Sequence, residues 1–190
     1  MILKNILKVN FVVSLLLLTG CTQSSSYTVK LPASELEAIN LPNDIELDGL
    51  NFTLKGQNLK TAEFYLENEK NFGWSKLISV SLDSKAEIKT YKKIFENTLK
   101  SGQFGKTKFE FKDISDKEYQ GYTIYYPVKG DKNFDNYEIN LIQTKKLDCG
   151  LAATHYAVKF SSDTDEKVIT NFIDQKLSAI KTDFPNITCK

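Results

Sequence analysis

The chain has 190 residues, with 25 basic and 24 acidic side chains, one histidine, three cysteines and 41% hydrophobic residues. Every basic residue is a lysine, so the chain lacks the planar guanidinium fork that binds phosphates and carboxylates bidentately. A formal net charge of +1 excludes the basic excess of a nucleic-acid-binding protein, and the composition excludes a disordered chain. The length fits one compact domain with a short extension.

The first 21 residues have the pattern of an export signal. Lys4 and Lys8 come before an apolar run that ends at Leu18 and is too short to cross a bilayer as a helix. The run leads into Leu18-Thr19-Gly20-Cys21, which resembles the lipobox of bacterial lipoproteins. The resemblance implies that residues 1–20 are a lipoprotein signal peptide and that Cys21 is acylated. A plain secretory signal and an uncleaved membrane helix are the alternatives.

A lipid anchor predicts where the protein resides. Several acyl chains on Cys21 would hold it on a membrane without a polybasic patch. The next residue is Thr22 and not Asp, which by resemblance to enterobacterial sorting rules favours the outer membrane over the inner one. We therefore expect a lipid-anchored, periplasm-facing protein of the cell envelope, with a polar tether at 21–30 and a single domain at 31–190.

The other two cysteines, Cys149 and Cys189, favour a disulfide, because exported proteins meet an oxidising compartment. Closing a loop of about 40 residues would stabilise the fold by about 4 kcal/mol on the chain-entropy model. Free thiols are the alternative. A structural zinc site is excluded, since two cysteines and one histidine fall short of four ligands.

Alternating and helical hydrophobic periods predict the secondary structure. A short helix is predicted from Ser34, and a first strand at Leu50–Leu54. Six further strands are predicted, with inward positions running over Ala62–Leu66, Ile78–Leu82, Phe109–Phe111, Tyr122–Val128, Tyr137–Leu147 and Thr154–Phe160.

Two amphipathic helices are predicted among these strands. The first follows a capping box at Ser84-Lys85-Ala86-Glu87, and the second is capped by Asp163 with Glu166 three positions on. Their apolar stripes are Ile88, Tyr91, Phe95 and Leu99 in the first helix and Ile169, Phe172, Ile173, Leu177 and Ile180 in the second.

Short links between successive strands predict antiparallel pairing. The expected fold is therefore α+β, a mostly antiparallel β-sheet with two amphipathic helices packed on one face. The order of elements over residues 50–182 resembles the PsbP-like fold and, within it, the DcrB family of envelope lipoproteins.

Two features of the sequence bear on a possible chemical site. Asp131-Lys132-Asn133-Phe134-Asp135 resembles the start of a calcium loop, but Asn136 and Ile142 stand where that loop needs Gly and Glu. A hairpin turn is therefore favoured, with a weak calcium site as the alternative. His155, the single histidine, is predicted to be a surface or interface residue, because no G-x-S-x-G nucleophile motif accompanies it; a catalytic histidine is the alternative. No catalytic residue, metal or cofactor is predicted.

Five aromatic residues suggest a binding surface, because strand alternation prevents them from sharing one core face. They are Tyr65, Trp74, Tyr119, Tyr125 and Tyr137. If both helices cover one side of the sheet, some of these residues lie on the other side, where they would form a partner surface. Alternatively, residues 31–50 fold over them.

The sequence therefore predicts a non-enzymatic interaction module that binds an unknown envelope protein through its sheet. The alternative function is a carrier for a small ligand, a lipid or another molecule, with a pocket between the sheet and the last helix.

Overall fold

The computed structural model describes residues 33–69 and 73–190, and Ala33–Lys190 is one compact unit. The lipobox, Cys21 and the tether lie outside the described residues. Within these two ranges, a 3₁₀ helix at Glu35–Ala38 comes before eight strands and two α-helices. The strands are β1 Asp44–Leu47, β2 Leu50–Gln57, β3 Thr61–Tyr65, β4 Lys76–Asp83, β5 Thr107–Ser115, β6 Glu118–Tyr125, β7 Asn136–Leu147 and β8 Gly150–Ser161, and the helices are α1 Ile88–Lys100 and α2 Glu166–Asp183.

All eight strands form one sheet in the order β1-β2-β3-β4-β8-β7-β6-β5, and every neighbouring pair is antiparallel. The sheet thus contains two four-stranded meanders, β1–β4 and β5–β8. They join where β8 pairs with β4, from Lys76 opposite Val158 to Asp83 opposite Leu151. A mostly antiparallel sheet with two helices confirms the predicted α+β class.

The two helices contact opposite faces of the sheet. Phe172 of α2 packs on Phe160 of β8, with ring centroids 5.3 Å apart. Phe95 of α1 packs instead on His155 of β8, at 6.4 Å, and on Phe111 of β5, at 5.5 Å. Phe160 and His155 are an odd number of positions apart on one strand, so their side chains point to opposite faces. We call these the α2 face and the α1 face.

This arrangement differs from the prediction that both helices pack on one face. A stripe shows which side of a helix is apolar, but it carries no information about which sheet face receives it. The α1 face accepts a helix because β5 and β6 place Phe109, Phe111 and Tyr119 on it, beside Ile142 of β7.

The main core lies on the α2 face. Phe52 of β2 meets Tyr156 of β8 edge to face, with centroids 6.0 Å apart and both side chains buried. The largest fully buried side chains of this core are Ile39, Phe52, Phe64, Ile78, Leu82, Ile139, Leu141, Tyr156 and Ile169. Burying each such side chain stabilises the fold by about 1.5–3 kcal/mol relative to exposure.

Strand β1 and the starts of both helices differ from the sequence prediction. Strand β1 was not predicted, yet it pairs with β2 from Asp44 opposite Thr53 to Leu47 opposite Leu50. Helix α1 begins after Glu87, which makes no side-chain cap hydrogen bond, while the Ser84 N–H donates to Glu35 Oε2 at 2.6 Å. Ser84 therefore connects β4 to the 3₁₀ helix and does not cap α1.

The start of α2 also differs from the prediction. Asp165 directly precedes the helix, and its Oδ1 accepts the Lys167 N–H at 2.8 Å. Asp163, the predicted cap, lies in the turn before it. Both carboxylates follow the expected preference for acids near a helix start, which is why sequence alone does not separate them.

The predicted disulfide is present in the structure, where Cys149 and Cys189 are bonded. Cys149 lies in the β7–β8 turn, and Cys189 lies in the C-terminal segment. That segment pairs with the start of the domain: the Asn40 N–H donates to Thr188 O at 2.8 Å, and the Lys190 N–H donates to Ala38 O at 3.0 Å. The disulfide therefore fixes a segment that in turn holds residues 38–40.

Replacing both Cys149 and Cys189 by Ser should lower the free energy of unfolding by about 4 kcal/mol, because the bridge closes a loop of 40 residues in the unfolded chain. Urea unfolding followed by circular dichroism measures the change. Wild type treated with reductant is the matched control and should unfold like the double variant. A loss below about 1 kcal/mol would contradict this role.

Candidate functional site

The five predicted aromatic residues do not form one exposed surface. Tyr65, Trp74, Tyr119 and Tyr137 are buried, and Tyr125 is half-buried. Tyr137 lies opposite Phe160 on the α2 face, whereas the other four are on the α1 side of the sheet.

The segments that cover these aromatic residues are not the ones that the sequence predicted. Helix α1 lies over Tyr119, with Lys92 Nζ 5.7 Å from the ring centroid. Leu36 and Ile39, from the segment expected to cover the aromatic residues, are instead buried in the main core of the α2 face.

Tyr65 and Trp74 form a small second cluster with Leu77 and Ala157. Burial raises the pKa of Tyr65, and its hydroxyl donates to Glu63 Oε2 at 2.6 Å. Lys159 Nζ lies 3.9 Å from the Trp74 ring centroid. These aromatic groups are thus engaged in contacts within the domain.

Three large apolar side chains are exposed together at one end of the sheet. Phe104 is 44% exposed, Val128 44% and Phe134 51%. Phe104 meets Tyr125 edge to face with centroids 5.9 Å apart. The backbone joins Val128 to Phe134 across the β6–β7 loop, where the Val128 N–H donates to Phe134 O at 2.8 Å. We call Phe104, Tyr125, Val128 and Phe134 the apolar tip.

Backbone contacts hold the two loops of the tip together. The Tyr126 N–H donates to Lys106 O at 3.1 Å, which joins the α1–β5 loop to the end of β6. Gly105 and Gly130 have φ values of 76° and 84°, a region that favours glycine and allows each loop to turn sharply. The tip therefore sits on loops that the rigid sheet positions.

The calcium-like segment is one of these turns. Asp131 Oδ1 accepts the Asn133 N–H at 3.0 Å, and Asp131 O accepts the Phe134 N–H at 3.1 Å, as in an Asx turn. Within the described parts of the chain, no group of three or more His, Cys, Asp or Glu side chains is placed to hold a metal ion. The turn presents Phe134 to solvent.

The rim of the tip is polar and carries both charges. Lys106 Nζ lies 3.8 Å from the Tyr126 ring centroid, while Lys129, Lys132 and Asp135 are exposed. Burial raises the pKa of Tyr125 to about 12, so its hydroxyl is protonated at neutral pH. An apolar, aromatic centre with a polar rim is the usual composition of a protein interface.

A second candidate site is a groove on the α2 face, beyond the edge of α2. It has a volume of about 340 Å³ and is lined by Glu110, Lys112, Ile114, Gln120, Gly121, Tyr122, Leu177 and Ser178. Gly121 permits close approach of β5, since a Cβ there would lie 2.0 Å from Glu110 O. The groove occupies the place where the sequence predicted a pocket, between the sheet and the last helix.

The tip lies at the opposite end of the sheet from the start of the domain. At the starting end, the Glu35 N–H donates to Leu59 O at 2.8 Å, beside the β2–β3 turn. Tyr125 is at the other end, where it pairs with Glu138 of β7.

His155 is packed against α1 through Phe95, and burial lowers its pKa to about 4. It is therefore a neutral residue between a helix and the sheet at physiological pH. The described residues supply no hydroxyl or thiol hydrogen-bonded to its ring, as a catalytic base would need.

Comparison with known proteins places the chain in a family. One protein-family model matches residues 39–182, from the bridge at Ile39 to the last turn of α2. The chain belongs to this family. No curated protein sequence matches it.

Solved structures with a related shape include two of the protein Mog1. A point mutant of Mog1 is 12% identical with a TM-score of 0.47, covering 79% of this chain and 89% of its own. The Ran-binding protein Mog1p of Saccharomyces cerevisiae is 12% identical with a TM-score of 0.43, covering 75% and 88%. At these scores the likeness carries no argument about function. The resemblance to DcrB stays a prediction from element order.

The pH dependence of stability should reveal the burial of His155. Its pKa is about 4 in the fold and 6.5 in the unfolded chain, so only the unfolded state gains a proton between these values. The free energy of unfolding should therefore keep the full contribution of the neutral His155 ring above pH 6.5. It should decrease as the pH drops below 6.5, by at most about 1.4 kcal/mol per pH unit.

Urea unfolding between pH 7.5 and 5 measures this slope, with His155→Gln as the comparison. His155 is the single histidine, and the lowered pKa values of Glu35 and Asp83 act mainly below their ordinary values of 4.5 and 3.8. The variant should have a flatter profile between pH 6.5 and 5. Identical slopes would show that the ring is protonated freely in the fold.

Proposed function

We propose that this chain is a lipid-anchored, non-enzymatic protein of the bacterial cell envelope that faces the periplasm and binds another envelope protein through the apolar tip. The observation that carries the proposal is the joint exposure of Phe104, Val128 and Phe134 on two adjoining loops.

The tip suits a protein partner better than other surfaces of the domain. Clustered exposed apolar side chains are uncommon on monomeric proteins and mark interaction sites. Aromatic groups that are rigidly held contribute much of the binding energy at such sites. Phe104 is supported by Tyr125, and Phe134 by the turn that starts at Asp131. Little ordering would therefore be needed on binding.

The envelope location is supported by two independent features of the chain. The segment ending in Cys21 resembles a lipobox, and the Cys149–Cys189 bridge fits an oxidising compartment. A lipid anchor would also raise the local concentration of the tip near partners on the same membrane, so that a modest interface suffices.

The anchor is tested by metabolic labelling with palmitate. Cys21→Ser should abolish incorporation and release the protein from the membrane fraction, because the acylated thiol is gone. Thr22→Asp is the matched control: it should keep the label but shift the protein to the inner membrane if enterobacterial sorting applies. Equal labelling of Cys21→Ser and wild type would remove the basis for the anchor.

The tip is tested by placing a photo-crosslinking amino acid at position 104 or 134 in the lipidated protein and irradiating cells. Both positions should yield the same protein adduct, and Phe134→Ser should reduce the adduct formed from position 104 about tenfold, or about 1.4 kcal/mol. Since Phe134 is 51% exposed, the variant should keep the wild-type melting temperature.

Ile94 provides the control, because it is 61% exposed on α1 and away from the tip. A crosslinker at 94 should give no such adduct, and Ile94→Ser should leave capture from position 104 unchanged. Equal yields from positions 94, 104 and 134 would show that the tip is not the binding surface.

A further inference from the structure

The groove beside α2 exists because the helix does not cover the whole sheet. Helix α2 packs over β7 and β6, and its Ile169 and Ile173 are buried in the main core. The edge strand β5 therefore leaves Glu110 and Lys112 open to solvent on the α2 face, with Leu177 and Ser178 of the helix on the other side of the groove.

One amide of the groove lining, that of Gln120, is held in a fixed orientation. Gln120 lies opposite Gln143 of β7, and the two side chains are 6% and 5% exposed. Both amides donate to the same oxygen of Glu118, Oε1, at 2.7 and 3.2 Å. Since the Gln120 NH₂ group is engaged in this way, its amide oxygen is the acceptor that the lining offers to a donor on a ligand.

Tyr122 provides an aromatic wall. It lies opposite Glu110 on β5, is half-buried, and lines the groove with Leu177 and Ile114. Burial raises the pKa of its hydroxyl, with the charge of Glu110 adding to the effect, so the group is a neutral donor. The electron-rich face of such a ring attracts C–H groups that carry partial positive charge.

The charges of the lining decide between ligand classes. Glu110 and Lys112 are the charged groups of the lining, and their charges are opposite. Two further carboxylates lie beside it, Glu118, which accepts from Gln120, and Asp174, which acts on Tyr122. A strongly anionic ligand would therefore find no net positive charge, and the Lys112 ammonium group in the lining would oppose a strongly cationic one. An acyl chain would desolvate the Gln120 amide without offering it a hydrogen bond in place of water, which disfavours a lipid in this groove.

We propose that the groove binds a neutral, hydroxyl-rich ligand of the saccharide class, with sugar hydroxyls on Gln120, Glu110 and Lys112 and a sugar ring against Tyr122. Its volume of about 340 Å³ is near the lower bound for small-molecule sites, which suits a short saccharide. This site is separate from the apolar tip, so it does not depend on the partner proposed there.

Isothermal titration and thermal melting test the proposal, using the full-length protein in a detergent that contains no sugar. The probes are maltotriose, cellotriose and the trimer of N-acetylglucosamine, each to 10 mM, with dodecanoate below its micellar concentration as the lipid probe. At least one saccharide should bind and raise the melting temperature. Dodecanoate should not.

The double variant Glu110→Ala/Lys112→Ala should weaken saccharide binding at least tenfold and remove the thermal shift. Both residues are exposed, so the variant should melt like wild type without ligand. Lys108→Ala is the matched control, since Lys108 is an exposed lysine on the same face of β5 outside the groove lining; its affinity should equal that of wild type.

Three outcomes would overturn the proposal. They are no binding of any of the three saccharides, binding that the double variant leaves unchanged, and binding of dodecanoate in place of saccharide. Loss of crosslinking at the apolar tip would leave this result untouched, so the two proposals fail separately.

Discussion

The fold depends on the pairing of β4 with β8. Each half of the sheet is a meander of strands that follow one another in the chain, and β4–β8 is the strand pair that joins the two halves into one sheet. On one side of the pair Ile78 lies opposite Tyr156, in the main core, and on the other Ser79 lies opposite His155, near α1. Both helix-covered faces thus need this contact. It joins residues far apart in the chain, so it should form late in folding.

Much of the secondary structure can be predicted from the sequence, because one-sided burial imposes a period on each element. The alternation of Ile78, Val80 and Leu82 marks β4, and they are all buried on the α2 face. Strand β1 is harder to predict, since four residues carry too few repeats to set a period. The insertion of β8 beside β4 and the placement of the helices on opposite faces are decided by tertiary packing, which periodicity in one segment does not encode.

The candidate sites are predictable only in part, for a related reason. The aromatic residues of the sequence predict that Tyr65 and Trp74 belong to a partner surface. Whether an aromatic side chain is exposed depends, however, on the strand or helix that packs beside it. In the fold these two residues pack in one buried cluster. Of the five predicted residues, Tyr125 belongs to the apolar tip, where it supports Phe104. The exposure of Phe104 and Phe134 could be predicted from the sequence. Both are large apolar residues in turns, one next to a glycine and one in an Asx turn, where a buried side chain is least expected. The groove beside α2 has no local signature, because the β5–β6 hairpin and a helix distant from it in the chain form it together.

The C-terminal segment lies beside the start of the domain, and this position has a consequence for the design of fusion reporters. The Lys190 N–H donates to Ala38 O, and Cys189 is bonded to Cys149. A fluorescent protein or affinity tag fused after Lys190 would therefore emerge beside the start of the domain, at the opposite end of the sheet from Phe104 and Phe134. Such a fusion leaves the tip unobstructed, whereas an insertion in the β6–β7 loop would block it.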